Sequence, residues 1–152
     1  MSIEPLVALL PALVMAAGIG QIALVIASPL IPRLLGWRED TAKLRPLTRQ
    51  IFWTWASYIW LSHLSFGLLS ALAPGWLLDG SPLAAAVTGF IALWWGARLV
   101  IQFACIDREG AGSGLGVRLG EAALVTLFVG LTAVYACATV ANLVTPGGAV
   151  ST

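Results

Sequence analysis

The chain has 152 residues, of which 59% are of the apolar set AVILMFWYC and only 10% are charged, with a formal net charge of +1. A water-soluble domain of this size covers its surface with about 25% charged residues, so a mean hydropathy of +0.93 excludes a soluble globule. The same numbers exclude a disordered chain, and eight basic against seven acidic residues give no basis for nucleic-acid binding by charge.

Spanning a hydrocarbon core takes about 20 helical residues, and four stretches meet that length with almost no charge. The first is uncharged from Pro5 to Pro32 and predicts a span over 5–31. It is too long, and its only early charge, Glu4, has the wrong sign, for a cleaved signal peptide with a basic start and a 7–15-residue apolar region. The second span is expected over 50–73, ending before Pro74-Gly75, and the third over 82–106, opened by Ser81-Pro82, a capping residue followed by a first-turn proline. A fourth is expected over 118–143, stopped by Thr145-Pro146-Gly147-Gly148. The fold class expected is therefore all-α: one four-span membrane domain covering 1–152, packed as a left-handed four-helix bundle.

Orientation follows from where the cations are. Arg33, Arg38, Lys43, Arg45 and Arg49 lie in the segment 32–49, and Arg108 and Arg118 flank the segment 107–117. Cytoplasmic loops carry the excess of Lys and Arg, so both segments are expected in the cytoplasm and both termini on the far side. Localisation as a multi-pass membrane protein follows from that reading. Leu34, Leu35, Trp37, Leu44 and Leu47 alternate with the five basic residues, a pattern suited to the headgroup level and to contact with anionic lipid.

Small residues let membrane helices approach closely. Span one offers Ala12, Ala16 and Gly20; span two Ala56, His63, Gly67 and Ser70 near one side; span four Ala122, Thr126 and Gly130, then Ala133, Cys137 and Ala141. Two cysteines, Cys105 and Cys137, at depths that differ by about 25 Å and a single histidine give no disulfide, no structural zinc set and no paired haem ligands; no metal and no cofactor are expected. Gly110 to Gly116 lacks the strand before it and the Lys-Ser/Thr after it that a phosphate-cradling loop requires, and reads as a turn.

Arg98 is the exception to the charge pattern, roughly 13 Å inside the boundary set by Asp107, and an ionisable group at such depth is a functional hypothesis. Trp94 and Trp95 precede it by four and three residues and could hold the guanidinium over an indole, and Gln102 shares its face. Gln21, His63 and Thr126 fall at similar depth on the other spans, with Glu121 shallower. Thr54, Tyr58 and Ser65 lie opposite His63 on the helical wheel, so either His63 or Tyr58, but not both, faces the Arg98 layer.

The runs Ile31–Trp37, Arg49–Trp53 and Trp95–Phe103 resemble small bacterial four-span membrane proteins, a similarity that implies architecture and no activity. In size, span count and charged first loop the chain is also similar to the MAPEG family, the membrane-associated proteins of eicosanoid and glutathione metabolism. That resemblance implies trimers of four-helix bundles. The family's Asn-x-x-Glu signature has neither residue in Gln50–Trp55, so the similarity extends to architecture alone. The function expected is a non-catalytic subunit or a lipid- or partner-binding module of a membrane assembly, homo-oligomeric or bound to other membrane subunits. The alternative is a small membrane enzyme acting on a lipophilic substrate in a pocket around Arg98; a third is an oligomeric carrier or channel.

Overall fold

A computed structural model describes residues 4–34, 36–104 and 115–145. Cys105, Arg108 and most of the glycine run 110–116 lie outside them. Six α-helices follow in order: α1 Glu4–Ala27, α2 Leu30–Leu34, α3 Trp37–Ala42, α4 Pro46–Leu72, α5 Pro82–Ala104 and α6 Leu115–Val144, with a 3₁₀ turn at Pro74–Leu77. No strand occurs among the described residues.

Among the described residues three segments are long and apolar enough to cross a membrane: Ala8–Leu34, Pro82–Ala104 and Arg118–Val144. The helix α4 is 27 residues long but less apolar, because three tryptophans, a tyrosine, a histidine and four serines share its length. Four crossings were expected from the charge pattern, and hydropathy singles out three.

The first helix is shorter than expected. It ends at Ala27, and a turn at Ser28-Pro29 leads into α2. Pro29 has no N–H to continue the ladder and disfavours the α conformation in the residue before it; Ser28 Oγ donates to Val25 O at 2.9 Å, occupying a terminal carbonyl. The segment 32–49 is likewise no simple tether. It contains α3, entered through Gly36 at φ 65°, a left-handed conformation that glycine takes without penalty.

The long helices pack as two pairs, α1 with α4 and α5 with α6, joined along α1 and α6. The α1–α4 crossing is made by two glycines. A Cβ on Gly18 would lie 2.5 Å from Ala71 N and 2.8 Å from Gly67 O, and one on Gly67 would lie 3.2 Å from Gly18 O, so the two backbones touch. Trp60 Nε1 reaches across the same pair to Val25 O at 3.0 Å. In the other pair Gly89 faces Thr139 and Gly96 faces Thr132.

The stripes expected from spacing alone do not form these contacts. Ala12 and Ala16 are exposed, as are Ala122, Thr126, Gly130, Ala133 and Cys137. The inward faces are Leu10, Val14, Ala17 and Gln21 on α1 and Phe128, Leu131, Tyr135 and Ala138 on α6. The α4 set Ala56, His63, Gly67 and Ser70 does turn inward.

At one end of the bundle, Asn142 on α6 fastens the α4–α5 turn. Its Nδ2 donates to Leu77 O at 2.8 Å and its Oδ1 accepts from Gly80 N at 3.0 Å. Gly80 has φ 73°, and Ser81 Oγ caps α5 by accepting from Ala84 N at 3.0 Å. Ser81, through its hydroxyl and then its N–H, holds the Asp79 carboxyl below its ordinary range. Asn142→Ala is expected to cost about 1–3 kcal/mol, the usual result of leaving buried backbone groups unpaired, read as a lower unfolding midpoint in detergent. An unchanged midpoint would show that water replaces the clamp.

Candidate functional site

Each long helix sends one polar side chain into the middle of the bundle. Gln21 from α1, Ser70 from α4, Trp95 from α5 and Tyr135 from α6 are all fully buried, and they form one hydrogen-bonded chain. Trp95 Nε1 donates to Gln21 Oε1 at 3.3 Å; Gln21 Nε2 donates to Tyr135 Oη at 2.6 Å and to its own helix at Ala17 O, 3.4 Å. Tyr135 Oη and Ser70 Oγ are 2.5 Å apart. The indole can only donate and the Ala17 carbonyl can only accept, so the orientation of the Gln21 amide is fixed from both ends. Tyr135 Oη accepts from Gln21, and either hydroxyl can donate in its bond with Ser70.

An aromatic stack adjoins this chain. The Trp95 ring lies between His63, 4.7 Å away and inclined by 25°, and Phe128, 5.2 Å away and inclined by 29°. Trp94 Nε1 donates to His63 Nε2 at 3.1 Å, which makes that nitrogen the acceptor and the ring neutral. Phe66 and Phe90 close the seam by edge contacts with Trp94 or each other. Rings therefore fill the space between α4 and α5, whose backbones stay apart. Beyond them Thr139 Oγ1 donates to Thr88 Oγ1 at 3.1 Å.

The residues grouped by depth in the sequence separate here. Gln21 is at the centre of the network and His63 is half-buried beside it, whereas Tyr58 is 66% exposed on the opposite face of α4. Arg98 is exposed on α5, its guanidinium 6.0 Å from the Phe128 centroid rather than over Trp94 or Trp95. Gln102 and Glu121 are half-buried, and Thr126 is exposed with its hydroxyl bonded to Ala122 O at 2.8 Å. Arg33, Arg38, Lys43, Arg45 and Arg49 are all exposed. Lys43 pairs with Asp40 at 3.2 Å.

Sequence reasoning missed Ser70 as a hydrogen-bonding partner, the Trp95 N–H and above all Tyr135, on which the chain of bonds converges. No signal in the sequence singled it out, because Thr126, Thr132 and Thr139 put other hydroxyls on the same helix.

Every buried side-chain nitrogen and oxygen among the described residues has a hydrogen-bond partner, and no group of three or more His, Cys, Asp or Glu that could hold a metal occurs among them. The surface of the described residues carries open grooves, two of them along α4. One of about 350 Å³ is lined by Arg38, Thr41, Ala42, Arg49 and Trp53. The other, of about 580 Å³, is lined by Leu68, Leu69, Leu72 and the turn Ala73–Trp76. They lie at opposite ends of α4, and neither includes Arg98. Comparison with protein-family models, curated proteins and solved structures gives no match.

Removing the phenol oxygen isolates the chemistry of the network. Tyr135→Phe keeps the ring but leaves Gln21 Nε2 and Ser70 Oγ without their partner, at an expected cost of about 1–2 kcal/mol, between the average membrane hydrogen bond and a buried unsatisfied group. Denaturant titration in mixed micelles measures this. A variant as stable as the parent would mean that the hydroxyl contributes nothing to the bundle.

Proposed function

We propose that the chain is a four-span protein of a bacterial inner membrane, with both termini outside the cytoplasm, acting as a non-catalytic lipid- or partner-binding subunit of a membrane assembly. The carrying observation is the buried network. A pocket for a lipophilic substrate needs polar groups aimed into a cavity; here Gln21, Ser70, Trp95 and Tyr135 use their hydrogen-bonding capacity on one another, tying four helices together. Arg98, the residue expected to anchor a substrate, lies on the bundle surface.

The outer face of α6 supports the assembly reading. Ala122, Thr126, Gly130, Ala133 and Cys137 form an exposed strip of small residues, the surface over which a further membrane helix packs closely. On this reading α4 is the fourth span, covered on one face by α1 and by the rings of α5.

Native mass spectrometry in a mild detergent tests the proposal. Homo-oligomers, or monomers with retained phospholipid, are expected; a lipid-free monomer across the accessible concentrations would overturn it. Topology has its own check. A reporter fused after Thr145 should be active outside the cytoplasm and one inserted at Lys43 inside it, and the reverse pattern would overturn the orientation.

A further inference from the structure

The groove beside the start of α4 has a composition that the bundle itself does not use. Two of its five lining residues are arginines, Arg38 from α3 and Arg49 from the first turn of α4, and a third is Trp53, one turn after Arg49. Neither guanidinium has an acidic partner among the described residues: Asp40 pairs with Lys43, and the first turn of α4 carries no acid. Thr41 is buried at the groove, its hydroxyl bonded to Trp37 O at 2.6 Å, and the Trp37 ring meets Phe52 edge-on at 5.5 Å. The helix α3 is thus seated against α4 rather than swinging freely. Exposed leucines flank the same stretch of chain: Leu34 at the end of α2, Leu44 between α3 and α4 and Leu47 in the first turn of α4 are 80%, 40% and 67% exposed.

We infer that Arg38 and Arg49 together bind the phosphate of an anionic phospholipid, with Trp53 at the headgroup boundary and the exposed leucines among the upper acyl carbons. Two unpaired guanidiniums converging on one groove suit a phosphodiester, whose oxygens accept paired N–H bonds. Exposed leucines on the segments that carry both arginines place that groove at the surface of a bilayer rather than in free solution, which selects a lipid over soluble phosphate. Arg33 and Arg45 lie outside the lining and act only through the general surface potential. The inference rests on the proposed orientation, in which the start of α4 meets the cytoplasmic leaflet.

The full-length protein in mild detergent, titrated with phosphatidylglycerol or with phosphatidylcholine and followed by native mass spectrometry, tests the site. Phosphatidylglycerol should be retained about tenfold better than phosphatidylcholine. Arg38→Gln with Arg49→Gln should abolish that preference, since it removes both guanidiniums that line the groove; Arg33→Gln with Arg45→Gln, outside the lining, should leave most of it. All three proteins should share one unfolding midpoint, because the four side chains are exposed. Equal retention of the two lipids, or equal loss in both double variants, would overturn the site and indicate diffuse attraction. Displacement of the lipid by inorganic phosphate would also overturn it, in favour of a soluble anion. If the topology reporters place Lys43 outside the cytoplasm, the orientation fails; if they place it inside and the lipids bind equally, only the site fails.

Discussion

Trp95→Ala should be the most damaging single truncation in the protein, lowering stability by about 3–5 kcal/mol, the range for removing a large buried aromatic side chain. The indole is fully buried, sandwiched between His63 and Phe128 and hydrogen-bonded to Gln21. Its loss opens a void where α4, α5 and α6 meet and removes the ring that spaces α4 from α5. Trp95→Phe is the milder change. It keeps a ring in the stack but loses the N–H together with one of the two fused rings, so about 1–3 kcal/mol is expected, a membrane hydrogen bond plus a small cavity. Both are read as shifts in a denaturant titration in mixed micelles. A Trp95→Ala protein that unfolds at the parental midpoint would refute the assignment of this residue as the keystone.

A single methyl group at residue 18 should separate the first helix pair. Gly18→Ala places a Cβ 2.5 Å from Ala71 N and 2.8 Å from Gly67 O, and both obstacles are backbone, which cannot rotate aside as a side chain does. The helices must part, and overpacking of this kind costs about 1–3 kcal/mol, occasionally more. Two other glycines are the controls. Gly20→Ala meets only the end of Leu127 at 3.3 Å, and Gly130→Ala meets nothing within 4 Å; both should be tolerated, helped by the higher helix propensity of alanine. Equal stability of all three variants would sink the proposed crossing.

How far these sites were legible in the sequence depends on the physics involved. Helix positions were legible because charge is excluded from long apolar runs: α4, α5 and α6 begin and end within a few residues of the expected limits. The break at Ser28-Pro29 was also written in the chain, but proline positions alone do not decide it, since Pro11 is accommodated inside α1. Rotational phase was the harder quantity. Depth counting grouped Gln21, His63, Thr126 and Arg98, yet depth does not say which way a helix turns. Of these, Gln21 and His63 turn inward, whereas Thr126 and Arg98 turn outward. Small-residue spacing failed for the same reason. Ala12 and Ala16 have the right interval, but the crossing needs glycines on both helices at one height, and only Gly18 with Gly67 supplies that. Tyr135 was invisible because a phenol on a membrane helix looks like one more aromatic residue until its partners are known.

The Asn142 clamp bears on the order in which the protein matures. The amide that closes the Leu77–Gly80 turn sits in the final turn of the last helix, 62 residues after the glycine it binds. While the chain is being synthesised from its N-terminus, the first helices can enter the bilayer, but their connecting turn keeps an open carbonyl and an open amide until α6 has been delivered. The quaternary polar core has the same dependence through Tyr135. Until then Leu77 O and Gly80 N lack the side chain that binds them, and Gln21 and Ser70 lack Tyr135. Chains that lose this last turn should be recognised by membrane quality control even though all their apolar segments remain.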